Sequence, residues 1–402
     1  MVVGAFVSLY IIPLLGYRSS LINSEILCVI GWLTLSFSEH FIIFILGSIL
    51  VGFSSGFDYQ ILTISRGEIL ASEIRGILSS VITSSYMLGV LLVHLSAIIL
   101  PWRIALKCCS LAPLLTAVAS IFVYPESPSW LLYKERTEEA GNVFFSLREV
   151  TAESQEEFKF MQAKQSILRE RGVLGSFKAI CTKDFVVPFL IGFTLLTAQC
   201  VSGCDIIAIY SVDLLSKMSY MSPDVATIFF DGLSIAACIV SSYMTKKITH
   251  RGLLFFSSVG TIVLLILLMV ISVHQFSAAV FALCLCAYSA IVNVGLVPIS
   301  WLLISEIFPE PNKDIAICLA NGYFNFFIFI LAKLVPIIES SGGIVAALGF
   351  FGITFSLSII VLFFIMPETK ELSLSEIEDV VRQGKLYRFA SYLTKGTAGH
   401  KS

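Results

Sequence analysis

Apolar runs of about 20 residues recur along this chain, each long enough to cross a hydrocarbon core about 30 Å thick. That recurrence leaves few folds open. A backbone inside lipid must satisfy its own N–H and C=O groups, so it is either helical or closed into a barrel. Barrel strands alternate apolar and polar residues, and these runs do not. The chain therefore reads as an all-α polytopic membrane protein. Its composition agrees, with 57% hydrophobic residues and only 13% charged, too little charge to cover a soluble surface.

The runs predict helices over Met1–Pro13, Leu21–Phe37, His40–Ile64, Gly76–Leu100 and Trp102–Tyr124. A second group covers Phe185–Leu215, Asp224–Met244, Gly252–Val273, Ala278–Ile304, Ile315–Ile338 and Gly343–Met366. The first of the eleven is short for a span. Pro125–Asp184 separates the groups and is the only long polar stretch. It opens on Pro125-Glu126-Ser127-Pro128-Ser129-Trp130 and holds amphipathic stretches such as Glu138–Leu147 and Phe158–Leu168. A helical cap joining two halves is the plain reading. The expected domains are an N-terminal bundle at 1–124, this segment at 125–184, a six-helix bundle at 185–366 and a tail at 367–402, part helical near Leu374–Val380.

Charge sets the orientation. With the polar segment in the cytoplasm, 22 of the 26 Lys and Arg fall on that side. The other side keeps Arg103, Lys107, Lys217 and Lys333. This is a strong positive-inside bias, and it puts the tail in the cytoplasm. The expected location is the plasma membrane.

Several chemistries find no support. The ten cysteines, Cys108, Cys109, Cys284 and Cys286 among them, lie in or beside apolar runs, which argues against a disulfide framework or metal site. His94 and His250 have no carboxylate or Cys at ligand spacing and read as neither catalytic nor metal-binding. No glycine loop for phosphate and no Ser/His/Asp arrangement is present, so no enzyme activity and no cofactor are expected. Met1 is followed by apolar residues without a basic stretch, so no cleavable signal peptide is evident.

The two halves repeat. Glu68 precedes Arg75 by seven residues, and Glu306 precedes Lys313 by seven. Arg18 matches Arg251, and Pro125-Glu126 matches Pro367-Glu368, at offsets of about 240 positions. Parallel repeats of this kind build many transporters around a central site. The helix Phe185–Leu215 would have its counterpart before residue 1, so a first helix is expected to be missing from this chain.

These motifs resemble the sugar-porter family of the major facilitator superfamily, and within it insect facilitated trehalose transporter-like proteins. The likeness runs from Met1 to Glu378. Glu68 through Arg75-Gly76 resembles the ending of the family's fourth helix. Pro125-Glu126-Ser127-Pro128 resembles the signal after the sixth. Gln199-x-x-Ser202-Gly203 with Tyr210-Ser211 resembles the seventh, and Gly295-x-x-Pro298-x-x-Trp301 with Glu306 the tenth. Pro367-Glu368-Thr369-Lys370 resembles the closing motif. The family pattern also has departures. Cys200 stands for a Gln, Asp205 for an Asn, Thr83 for a Gln and Ser48 for an Arg. The resemblance implies two six-helix bundles, of which about eleven of twelve helices are present.

It further implies facilitated movement of a sugar, trehalose or a hexose, by alternating access. The alternatives are a non-transporting membrane sensor or interaction protein, and a proton-coupled sugar symporter. Expected partners are a small-molecule sugar and the lipid bilayer, without nucleic acid, and the expected state is a monomer. Gln199 offers two donors and an acceptor to sugar hydroxyls; an interhelical hydrogen bond is its plainer use. Trp301 offers a ring face to a pyranose, or simple packing. Asn293 lies about two turns earlier on the same helix. Asp205, six residues past Gln199 and on a partly different face, is a cavity acceptor, a proton site or a neutral helix–helix contact. Glu68, Arg75, Glu126, Arg251, Glu306, Lys313 and Glu368 fall at cytoplasmic helix ends, where they can form a conformational gate of cross-bundle ion pairs, or remain solvated loop charges.

Overall fold

The computed structural model describes residues 1–69, 72–146, 183–212, 214, 223–274, 276–308 and 313–366, with parts of 150–165; side chains at 64–80, 183–185, 305–306 and a few isolated positions lie outside the description. The gate residues Glu68, Arg75 and Glu306, the closing motif at 367–370 and the helix expected near Leu374–Val380 are therefore outside it, wholly or by their side chains.

In the first half, α1 is Val2–Leu15, α2 Tyr17–Ser36, α3 Phe41–Ile69, α4 Ser72–Ile99, α5 Trp102–Cys109 and α6 Leu111–Phe122. Two short helices follow, α7 Pro128–Tyr133 and α8 Thr137–Ser146. The second half holds α9 Lys183–Val201, α10 Cys204–Ile209, α11 Pro223–Lys247, α12 His250–Val273, α13 Ala278–Val294, α14 Leu296–Ile307 and α15 Lys313–Ile365. Nine stretches among the described residues are long and apolar enough to span a membrane. One of them lies in α15, which holds two passes, because Gly343 leaves helical geometry at φ 71° and ψ −175°. That gives a tenth pass, and the 14-residue α1 is the eleventh apolar element.

Three of the expected helices are interrupted. Trp102–Tyr124 parts at Ser110 into α5 and α6. Pro113 explains it: proline has no N–H and its ring crowds the carbonyl four residues back, that of Cys109. Ala278–Ile304 parts at Gly295, again four residues or fewer before a proline, Pro298. A side chain at Gly295 would also collide with α12, since its Cβ would lie 2.6 Å from the Leu253 carbonyl oxygen. Phe185–Leu215 parts at Ser202-Gly203, where Gly203 takes the left-handed φ of 86°.

Helices α2, α3, α5 and α6 pack with α1 into the first bundle, and α9 with α11–α15 into the second. Two seams join them: α4 runs along α11, and α1 along α15. No residue is buried in the most apolar part of α4, Val81–Ile99, so this helix leans on α11 with its other faces open. The larger apolar core lies in the second bundle, around Leu195, Leu254, Leu268, Tyr288, Leu303, Phe355 and Leu362. The smaller one lies around Ile12, Tyr17, Leu21, Phe57 and Ile61.

The duplication is visible in the side chains. At the start of α2, Arg18 donates from Nε to the Ser120 carbonyl at 3.2 Å and from Nη2 to the Ile121 carbonyl. At the start of α12, Arg251 donates from Nη1 to the Met366 carbonyl at 3.1 Å and from Nη2 to the Phe363 carbonyl at 2.7 Å. In each half, then, an arginine opening one helix closes the C-terminus of another, where carbonyls have no helical partner. Glu126 completes the first copy by accepting from the N–H groups of Tyr17 at 2.6 Å and Arg18 at 3.2 Å. Gly16 makes room for it, at φ 90° and with the carboxylate 2.6 Å from where a Cβ would stand.

The polar segment docks at this same end. Ser127 caps α7 by accepting from the Trp130 N–H at 3.4 Å, and Trp130 Nε1 donates to the Pro13 carbonyl at 3.2 Å. Phe144 and Phe145 of α8 then pack against Phe158. This basic end carries Arg18, Arg251 and Lys313.

Candidate functional site

The break between α9 and α10 shapes the middle of the second bundle. Gly203 in the left-handed region interrupts the helix within one span, and Asp205 lies close to the end of α9. Its carboxylate lies beside the side chain of Gln199 and accepts from Cys204 Sγ at 3.5 Å. This corrects the expectation that the two residues face partly different ways, which assumed an unbroken helix. Tyr288 of α13 holds the break in place, its hydroxyl donating 2.7 Å to the Ser202 carbonyl freed there. A Cβ on Gly203 would stand 2.9 Å from the ring of Phe351.

Gln199 is buried, and its Oε1 has no partner among the described residues. On α15, the Nδ2 of buried Asn321 has none either, while its Oδ1 accepts from Asn325 at 2.7 Å. An orphaned acceptor on α9 and an orphaned donor on α15 are costly to keep, at about 1–3 kcal/mol each. Together they suit a ligand that both gives and takes hydrogen bonds, as hydroxyl groups do. Between them α9 and α15 are joined by Thr197 and Tyr323, whose hydroxyls lie 2.7 Å apart, and by the rings of Phe193 and Tyr323, stacked at 3.8 Å.

Trp301 faces the other bundle. Its ring meets Tyr59 of α3 edge-on at 5.0 Å and Phe324 of α15 at 5.2 Å. It adjoins the cluster of Leu196, Ile304 and Phe308, and Leu196 lies one turn before Gln199 on α9. Tyr86 of α4 lies within electrostatic reach of Asp205 and Cys204, again from the opposite half. Thus Trp301 meets Tyr59 across the bundle boundary, and Asp205, beside Gln199, lies toward Tyr86.

Asn293 is not brought to them. Its Nδ2 donates to the Ser289 carbonyl at 2.9 Å, and Cys238 of α11 donates to its Oδ1 at 3.8 Å. It is buried between α11 and α13 inside the second bundle. Of the gate residues, Glu126 binds within the first bundle and Arg251 caps α15 within the second. Lys313 is buried at the start of α15.

The sequence reading missed several residues. Tyr59, Tyr86, Tyr288 and Asn321 carry no local motif that marks them. His94 has no carboxylate at ligand spacing in the sequence, and in the fold its Nδ1 lies 2.6 Å from Asp231 Oδ2. The 137 positions between the two hide that contact, although a lone Asp in the apolar run of α11 was a usable signal.

Comparison with known proteins places this architecture. The family model described as "Sugar (and other) transporter" matches residues 1–381. The chain is 26% identical over 394 residues to "Sugar transporter ERD6-like 6" of Arabidopsis thaliana, covering 94% of this chain and 80% of that protein. It is 24% identical over 392 residues to "Facilitated trehalose transporter Tret1" of Polypedilum vanderplanki, covering 94% and 77%. Among solved structures, the major facilitator superfamily proton:xylose symporter XylE bound to 6-bromo-6-deoxy-D-glucose superposes with a TM-score of 0.82. That match is 18% identical and covers 94% of this chain and 86% of that one. Broken helices, paired seams and matched sequence thus lead to one assignment: the chain belongs to the sugar (and other) transporter family and is a multi-pass membrane protein with the major-facilitator fold.

Proposed function

We propose that the chain carries a sugar across the membrane by rocking of its two bundles about the site at Gln199, down the solute gradient. The observation that carries this reading is the broken helix α9–α10. Near it the Gln199 side-chain oxygen Oε1 is unpartnered among the described residues, Asp205 lies beside Gln199 and toward Tyr86, and Trp301 meets Tyr59 across the bundle boundary. Side-chain amides and carboxylates bind vicinal hydroxyls, and aromatic rings bind the apolar face of a pyranose. Trehalose is the first candidate substrate, because relatives bear that name, and glucose is the second.

The test is uptake of labelled trehalose and glucose in cells lacking their own carriers. Gln199→Ala should weaken half-saturation by roughly two- to tenfold, the worth of one net hydrogen bond. Uptake indistinguishable from empty cells for both sugars would overturn the reading. A second reading, proton-coupled symport, draws on Asp205, whose carboxylate lies beside Gln199 within the membrane-spanning region. Accumulation against a sugar gradient under an imposed proton gradient, lost in Asp205→Asn, would favour it.

The basic end is assigned to the cytoplasm on the Lys and Arg asymmetry. Tags inserted in the segment between α8 and α9 and after His400 should both be reached by antibody only in permeabilised cells. Labelling of either tag in intact cells would invert the topology.

A further inference from the structure

We infer that His94 and Asp231 form a proton-binding clasp between the two bundles, closed when His94 is protonated. The inference rests on the rocking motion proposed above for its consequence, but on geometry for its existence. His94 belongs to α4 in the first half and Asp231 to α11 in the second, and these helices form one of the two seams. Their side chains meet at 2.6 Å, with Asp231 only 5% exposed and His94 22% exposed. Both lie inside apolar runs, among Leu91, Leu92, Val93 and Leu95 on α4 and Phe229, Phe230 and Leu233 on α11.

The position matters. His94 stands five residues before the end of α4, about one and a half turns, at the end of the molecule opposite Arg18 and Arg251. Asp231 stands about two turns into α11 from the same end. The clasp therefore spans the half of the seam far from the basic end.

Among the described residues no other charge competes. Among the described residues, His94 and Asp231 are each paired only with the other. On α4, Tyr86 lies two turns away toward Asp205. On α11, Asp224 lies two turns toward the helix start, and Tyr243 and Lys247 lie toward the basic end, with Lys247 over the Tyr243 ring. On α5, Arg103 donates to the Ser38 carbonyl and Lys107 sits over the Phe37 ring. On α13, Tyr288 is bonded to Ser202, and Cys284 and Cys286 are thiols. Arg251 of α12 is at the far end, and α14 offers only Glu306, whose side chain is outside the description. Protonated, His94 gives Asp231 a charge-assisted bond; neutral, it leaves a nearly buried carboxylate with a weaker donor. Raising pH should therefore loosen this half of the seam, and acidifying should tighten it.

Distances between spin labels test the clasp without any sugar. In a cysteine-free version of the full chain in lipid nanodiscs, Ile99→Cys and Val225→Cys place labels at exposed ends of α4 and α11. Electron–electron distances are recorded at pH about 5 and about 8, either side of the ordinary histidine value of about 6.5. The expected result is a short distance at low pH and a growing longer population at high pH, with the ratio changing roughly fivefold. His94→Gln and Asp231→Asn should each give one distribution at both pH values. A native-sequence clasp whose distances ignore pH would overturn the inference, whether or not the variants fold. So would a His94→Gln protein that keeps the pH response. Failure of sugar uptake leaves these distances unaffected, so the two readings fail separately.

Discussion

Gly203→Val should abolish the site and destabilise the folded chain by about 2–5 kcal/mol. Two costs combine. At φ 86° a β-branched residue sits in a region that L-residues avoid, worth about 1–2 kcal/mol. Its Cβ would also stand 2.9 Å from the ring of Phe351, a buried member of the large core. Overpacking of that kind costs about 1–3 kcal/mol. Relief would come by continuing α9 straight through, and that would carry Asp205 away from Gln199 and strip the Ser202 carbonyl of its bond to Tyr288. Gly232→Ala is the control. Gly232 lies within α11 with nothing within 4 Å of an added Cβ, so alanine there should be neutral or stabilising by up to about 1 kcal/mol. Thermal unfolding of the purified proteins in detergent and labelled-sugar uptake are the measurements. A Gly203→Val protein that melts and transports like the parent would show that the break is not what positions the site.

The span pattern was legible in the sequence because a bilayer demands one thing, a long apolar helix, and such helices announce themselves residue by residue. The breaks were less legible, since an apolar run looks the same whether straight or kinked. Gly295 and Pro298 do signal a break or bend in the sequence, and the helix parts there; Pro113 is a signal that could have located another, acting near the carbonyl four residues back. Gly203 was a weaker signal, because nothing local says that a glycine in a helix must turn left-handed, and the ring of Phe351 that leaves no room for a side chain there is 148 positions away. Gln199 and Trp301 were found from their motifs, and Trp301 meets Tyr59 of the other half. The relation of Asp205 to Gln199 was misread for want of the break. Asn293 looked equivalent to them on a helix wheel, but the interruption at Gly295 separates it from Trp301 and leaves it bonded to Ser289. Buried acids were the strongest unused signal. Asp231 has His94, and Asp58 of α3 faces Glu25 and Ser24 of α2 inside the first bundle. Such residues are rare in lipid-spanning helices, and each deserved a search for its partner.

The duplicated arginines offer a test in which the two halves act as each other's control. Arg251 is 8% exposed, bonds two carbonyls at the end of α15 and lies over the rings of Phe255 and Phe363 at 5.6 and 5.4 Å. Arg18 bonds two carbonyls at the end of α6 but remains partly exposed. Water can replace Arg18 at its carbonyls more readily than it can replace Arg251. Arg251→Ala should therefore cost about 2–4 kcal/mol and Arg18→Ala about 1–2 kcal/mol. Lysine should restore little at position 251, because a single ammonium cannot span the Phe363 and Met366 carbonyls as the guanidinium fork does. Thermal unfolding in detergent, read on Arg251→Ala, Arg251→Lys, Arg18→Ala and the double variant, measures all four. The two sites lie in different bundles and share no partner, so their losses should add within about 0.5 kcal/mol. Equal losses at the two positions would contradict the role of burial, and full rescue by Arg251→Lys would reduce that contact to charge alone. A double variant much less stable than the sum would mean that the two helix-end clamps support each other across the bundles, as parts of one assembly at the basic end.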